Sequence, residues 1–253
     1  MTNVVISEQR GSTRLLTLNR PGRLNAINPE MITALRLALV EANADDETRV
    51  ILLCGAGRAF CTGNDLKDTA GSMDAGIDPD VARAQADELQ EITRQIFYSE
   101  KIVVGAIQGW AVGAGFEWAI NCDFTLWAEG ARAFFPEVSW GLFATGGVMT
   151  LLSQMVGVTR AREMLLLGDK YDATHLQEIG LAWRVVPEPV LMQTAFEFAE
   201  QISALPATAV RNFKKTFNSA IFMDLEQTLD AEVDALVAAV TDAETPSRIS
   251  KFE

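Results

Sequence analysis

Histidine is nearly absent from this sequence: His175 is the only one in 253 residues. Without a second imidazole a His-based metal centre lacks a ligand set, and a Ser/His mechanism has no supporting partner. His175 itself follows Asp172, a good N-cap residue, in the short amphipathic stretch ATHLQEIGL, which reads as surface structure. Cysteine is scarce too. Cys54, Cys61 and Cys122 are an odd count, lie in or beside apolar runs and form no CxxC pair, so neither a disulfide framework nor a zinc site is indicated. They read as reduced core residues. Basic residues number 21 against 34 acidic ones, and the formal charge of -13 disfavours a general nucleic-acid surface. Any phosphorylated substrate must then be met by a local cluster of Lys and Arg. No apolar run approaches the ~20 residues of a membrane-spanning helix, so no membrane partner is expected. The opening MTNVVISEQRGSTRLLTLNR has neither signal-peptide nor transit-peptide composition, and a cytoplasmic protein is the expectation.

What is present is ordinary for a soluble globular chain: 49% hydrophobic and 22% charged residues, enough for one large domain or one domain with an appendage. Residues 4–7 and 15–18 read as strands around a Gly11-Ser12 turn. Helical spacing runs from Pro29 to about Ala44, and residues 50–54 form a buried strand. A Gly-, Asp- and Ser-rich stretch at 69–80 reads as a mobile connection, followed by a long helix over 81–99. A further strand is expected at 124–128 and helices at 145–156 and 159–167. After Pro189 the pattern is purely helical, over 191–205 and again over 208–240, which divides the chain into a core at 1–190 and a helical region at 191–253. No fixed-period repeat is visible.

The chain is organised around IVVGAIQGWAVGAGFEWAINCD, residues 102–123. A β-branched apolar strand enters a turn spaced by Gly109, Gly113 and Gly115, and helical spacing resumes at Phe116. The start of that helix presents unpartnered N–H groups and the positive end of its dipole. A second strand-to-turn loop, AFCTGNDL at 59–66, has the same character. Side by side, the two loops would aim two backbone donors at one oxygen and stabilise charge on a thioester or ester carbonyl. The same glycines would also suit plain tight turns between packed elements. A dinucleotide-binding reading of the GxxxGxG spacing fails because it falls mid-chain without the expected downstream acid.

Two acids stand in unusually apolar company. Glu117 lies amid Phe116, Trp118, Ala119 and Ile120, and Glu137 amid Phe135, Val138 and Trp140. Each sits at an expected helix start, where the dipole alone would favour an acid. Brought near one substrate carbon, they would divide general acid and general base work.

Five blocks carry a resemblance: LNRPGRLNAIN (18–28), GAGRAFCTGNDL (55–66), IQGWAVGAGFEWAINCD (107–123), FFPEVSWGLFATGG (134–147) and LLLGDKYDATHLQEIGLAWRVVP (165–187). In order, they resemble the signature blocks of the crotonase superfamily, the enoyl-CoA hydratase/isomerase group. The resemblance implies an α/β fold, a crotonase-like spiral of ββα units with a C-terminal helical trimerisation region, as a homotrimer or a hexamer (a dimer of trimers). It implies an acyl-CoA thioester substrate and no cofactor, since coenzyme A is part of the substrate. It places the oxyanion-hole N–H groups on Asn64 and Ala114, and coenzyme A contacts on Arg23, Leu24, Arg58, Thr62, Asn64, Asp65, Leu66 and Lys67. Glu117 and Glu137 fall on both carboxylate positions of the hydratases, which favours reversible hydration of a 2-enoyl-CoA over the alternatives: a double-bond isomerase or another acyl-CoA lyase of that fold, and beyond these a non-catalytic scaffold. Three features depart from the pattern: Ala114 in place of the usual glycine, the block LFATGGVM after the second acid, and a C-terminus, RISKFE, without the basic tail that would supply a further coenzyme A contact. Trp110, Trp118, Trp140 and Phe143 suit either an aromatic-friendly acyl region or plain core.

Overall fold

A tight turn at Gly11, φ 58°, pairs strands β1 (Val5–Arg10) and β2 (Thr13–Leu18) as an antiparallel hairpin. A computed structural model describes residues 3–65 and 78–249. Strands β3 (Val50–Gly55), β4 (Ile102–Ile107), β6 (Phe124–Ala128) and β9 (Arg184–Val186) extend the hairpin into a six-stranded sheet, ordered β1-β2-β3-β4-β6-β9 and parallel from β2 onward. Both β3 and β4 are apolar along nearly their whole length because both faces are covered. A smaller sheet forms from β5 (Trp110–Val112), β7 (Arg132–Phe134) and β8 (Tyr171–Asp172).

Helix α1 (Pro29–Ala44) starts where the Asn28 side chain accepts from the Met31 N–H, with proline in its first turn. Helix α2 (Pro79–Phe97) is likewise capped by Asp78, two residues ahead of the sequence estimate. The connection expected at 69–80 lies outside the described residues as far as residue 77. Helix α3 (Ala114–Asn121) is buried along its full length and leaves β5 through Gly113. Helices α4 (Val148–Val156), α5 (Val158–Leu167) and α6 (Ala173–Glu178) follow. The expected helix from 145 begins three residues late, because Gly146 and Gly147 take positive φ values of 57° and 75°.

Helix α7 (Leu191–Ser203) buries Leu191, Ala195, Phe198 and Ala199 against the six-stranded sheet, so the first helix after residue 190 is part of the core layer. The pattern over 208–240 is corrected into α8 (Ala207–Ala220) and α9 (Leu225–Val240), packed on each other, with α10 (Thr245–Ile249) beyond. Asp224 explains the break: its side chain accepts from the Gln227 N–H while the Gln227 side chain accepts from the Asp224 N–H, a capping box that starts a new helix. Lys214 pins α8 to the core. Its buried Nζ donates to the carbonyls of Ile96 and Lys101, at 2.9 and 2.8 Å, and to Asp123 Oδ2 at 2.7 Å.

Candidate functional site

The loop after β3 doubles back along the turn after β4. Phe60 N–H donates to the Gln108 carbonyl, Cys61 N–H to that of Trp110, and Val112 N–H to that of Cys61, at 2.8 to 3.0 Å. This zipper leaves no room for side chains at its glycines. A β-carbon on Gly63 would stand 2.6 Å from the Val112 carbonyl oxygen, and one on Gly115 would stand 2.8 Å from Cys61 Cβ. Asn25, itself left-handed at φ 56°, supports the loop from beneath: its amide donates to the carbonyls of Ala56, Ala59 and Phe60.

The zipper brings the two sequence-identified donors together. The β-carbon position at Gly63 is 3.5 Å from the Ala114 nitrogen, and Asn64 is the next residue along. Neither the Asn64 nor the Ala114 N–H donates to any acceptor among the described residues. Ala114 opens helix α3, so its N–H also lies at the positive end of that helix. Cys61, close by, offers no nucleophile, because burial pushes its thiol up to about 12.

Both acids flank this spot, and each is seated on a glycine. Glu117, in the first turn of α3, is 2% exposed. Its Oε1 accepts the Thr145 N–H at 2.7 Å and its Oε2 lies 3.1 Å from Thr145 Oγ1. Burial raises its pKa to about 7 and the nearby Glu137 carboxylate pushes the same way, against the two Thr145 bonds. Glu137 precedes a 3-10 turn, Val138–Trp140, and its carbonyl accepts the N–H groups of Trp140 and Leu142 at 3.0 and 2.8 Å. Its carboxyl packs over Gly113, and Oε2 is buried with no hydrogen-bond partner among the described residues. Burial raises this acid as well. Burial penalises the charged form of both acids, so each holds its proton to higher pH than an ordinary glutamate would.

The other sequence-predicted positions form a rim. Arg23 donates to both oxygens of Asp65 at 2.8 and 3.0 Å, and Arg20 reaches Asp65 Oδ2 at 3.3 Å. Asp65 is 4% exposed, so its carboxylate anchors the two arginines, while the Arg23 side chain remains 42% exposed. Leu24 is left-handed, φ 52°, and its carbonyl accepts both the N–H and the hydroxyl of Thr62 at 3.2 Å. Arg58 is exposed. Leu66 and Lys67 lie outside the described residues. Trp118 is fully buried core, whereas Trp140 and Phe143 are exposed. Thr145, which contacts both oxygens of Glu117, is a site position that the sequence patterns do not single out. Its signal is the departing block LFATGGVM, where helical spacing from Thr145 hides a turn that runs to Val148.

A family model described as enoyl-CoA hydratase/isomerase matches residues 8–252. The chain belongs to the enoyl-CoA hydratase/isomerase family. The resemblance carried by the five sequence blocks is borne out across nearly all of its length. Among relatives of this family, the 1,2-epoxyphenylacetyl-CoA isomerase of Escherichia coli is 33% identical, covering 100% of this chain and 96% of that protein. The short-chain-enoyl-CoA hydratase of Clostridium acetobutylicum is 30% identical over 92% of this chain and 88% of its own length. The crystal structure of an enoyl-CoA hydratase from Polaromonas sp. JS666 superposes with a TM-score of 0.93 at 29% identity, covering 98% of this chain and 96% of that one. The fold is thus the crotonase-like α/β spiral with a helical C-terminal region. No helix among the described residues is long and apolar enough to cross a membrane.

Proposed function

We propose that this family member catalyses the reversible hydration of a 2-enoyl-CoA to a 3-hydroxyacyl-CoA. The observation that carries the proposal is the pairing of a buried acid, Glu117, and a half-buried one, Glu137, whose charge acts on it, with two N–H donors from separate loops that have no acceptor among the described residues. In this reading the Asn64 and Ala114 N–H groups form an oxyanion hole around the thioester oxygen, so that charge moving onto that oxygen meets fixed dipoles. Glu117, as the carboxylate, takes a proton from water while the hydroxyl adds to the β-carbon and the alkene electrons move into the thioester enolate. Protonated Glu137 then delivers its proton to the α-carbon. The enzyme ends with Glu117 protonated and Glu137 ionised, and exchange with solvent restores the starting state. Two acids and one water close the proton balance, so the proposal invokes no metal or redox cofactor.

Coenzyme A would lie along the rim built from Arg23, Leu24, Arg58 and Thr62, with Asn64 and Asp65 next to it and Leu66 and Lys67 completing the segment. Arg58 and Lys67 would supply local positive charge for the coenzyme A phosphates in a protein of net charge -13. The exposed apolar side chains of α8 and α9, among them Phe213, Phe217, Leu229 and Leu236, support burial against neighbouring subunits in a trimer or a dimer of trimers. We place the protein in the cytoplasm.

That the E. coli relative is named an acyl-CoA isomerase supports considering a second reading, an enoyl-CoA double-bond isomerase, which would use the same enolate chemistry. Assays with crotonyl-CoA and with a 3-enoyl-CoA separate the two. Loss of enone absorbance in the first, without conversion of the second, supports hydration; the reverse result replaces it with isomerisation. No turnover of either, with coenzyme A thioester binding intact, would leave a binding scaffold.

A further inference from the structure

Thr145 touches Glu117 at both ends of its carboxyl group, and the two contacts differ in kind. At Oε1 the partner is a backbone N–H, 2.7 Å away, which donates and never accepts. At Oε2 the partner is the Thr145 hydroxyl, 3.1 Å away, which does either. The seat is rigid on its far side. Gly146 has φ 57°, and a β-carbon there would stand 2.8 Å from both Glu117 Cβ and Oε2. The Thr145 carbonyl accepts the Val148 N–H at 3.1 Å, fixing the turn that carries both contacts.

We propose that Thr145 is a positioning residue for Glu117: its N–H keeps Oε1 a permanent acceptor, and its hydroxyl reverses between donor and acceptor at Oε2 as the proton leaves and returns. The proton of neutral Glu117 therefore resides on Oε2. A carboxyl that stays seated in both protonation states need not reorient between accepting and releasing a proton. Other groups around Glu117 do not perform this function. Helix α4 carries no ionisable residue, β5 none, and α2 faces α3 through Thr93, which accepts from Asn121, while its Asp87, Glu88 and Arg94 are exposed. Glu137 is the charged neighbour that raises the Glu117 pKa.

The inference rests on the reading of Glu117 as a proton-transfer group, and its test is separable from that reading. The Glu117 carboxyl stretch is followed by infrared difference spectroscopy through a pH titration of the full chain, with Glu117→Gln identifying the band. Thr145→Val removes the hydroxyl and keeps the backbone N–H. It should move the Glu117 midpoint upward by roughly one pH unit, the difference between the hydroxyl's charge-assisted bond to the carboxylate and its weaker bond to the neutral acid, and Thr145→Ser should restore it. With crotonyl-CoA, the valine variant should lose on the order of tenfold in kcat with KM nearly unchanged, and serine should recover the rate. An unmoved midpoint in Thr145→Val, or a serine variant that titrates like valine, overturns the proposal. Should the valine variant not fold, Thr145→Ala, smaller than the native side chain, makes the same comparison against serine. A wild type without hydratase activity would sink the proposed function while the infrared midpoints still judged Thr145.

Discussion

The carboxyl of Glu137 occupies the space that a β-carbon on residue 113 would need: that atom would lie 3.2 Å from the carboxyl carbon and overlap Oε1. Gly113 is also at φ 53°, a conformation that side-chain-bearing residues rarely adopt. The acid and the start of helix α3 are thus fitted to each other through a missing methyl group. Gly113→Ala should displace the Glu137 carboxyl and tilt the Ala114 N–H together, reducing kcat for crotonyl-CoA on the order of 100-fold. A variant that hydrates at the wild-type rate would show that this fit is irrelevant to the chemistry.

The ionisation of Glu117 predicts the pH dependence of the rate. In the proposed role of general base it must be the carboxylate, and burial raises its pKa to about 7. Hydration should therefore climb as pH rises through about 7 instead of levelling off near 5, as an unperturbed glutamate would dictate. Measuring kcat/KM for crotonyl-CoA against pH checks this, because that ratio reports the ionisation of the free enzyme. A plateau already reached at pH 5.5 would mean that another group, or an unshifted one, sets the rate.

Stability should run the opposite way. The native state holds the Glu117 proton up to about pH 7, while the unfolded chain releases it near 4.5. Between those values the native state binds more protons, so the stability contribution falls as pH rises. Above pH 7 the whole penalty, about 3 kcal/mol by linkage, is present. Glu117→Gln should raise the melting temperature at pH 8, with the gap closing toward pH 4.5. Equal gaps at both pH values would contradict the burial argument.

Lys214 should prove indispensable to the placement of helix α8. Lys214→Met would leave Asp123 buried without its cation, at a cost of about 3–5 kcal/mol. Pairing it with Asp123→Asn, which keeps an acceptor for the Val103 N–H that now binds Asp123 Oδ2 at 2.7 Å, should recover part of that loss. Urea denaturation of the single and double variants measures both. Additive losses would show that the two side chains do not act as a pair.

Much of the molecule was legible before any coordinates. The strands at 50–55 and 102–107 announce themselves because they are covered on both faces and so must be apolar throughout. Helix α1 is bracketed by its cap and proline. Glu117 and Glu137 stood out because a carboxylate in apolar company needs a structural reason. The short strands β5, β7 and β8 were missed, since two or three residues carry no usable periodicity. The break at Ile221–Asp224 was passed over because apolar spacing continues across it and only Asp224 and Gln227 together mark the restart.

By itself the sequence determined which segments must be buried, where glycine would be obligatory and which acids had no ordinary excuse for their surroundings. Those properties are local: they follow from side-chain volume, polarity and backbone freedom over a few residues. Tertiary structure alone decided that Asn64 and Ala114 come side by side, that Glu137 rests on Gly113, and that Thr145 holds both oxygens of Glu117. Each of those contacts joins residues 20 or more positions apart, through parallel crossovers whose pairing is set by how the whole sheet and its helices pack.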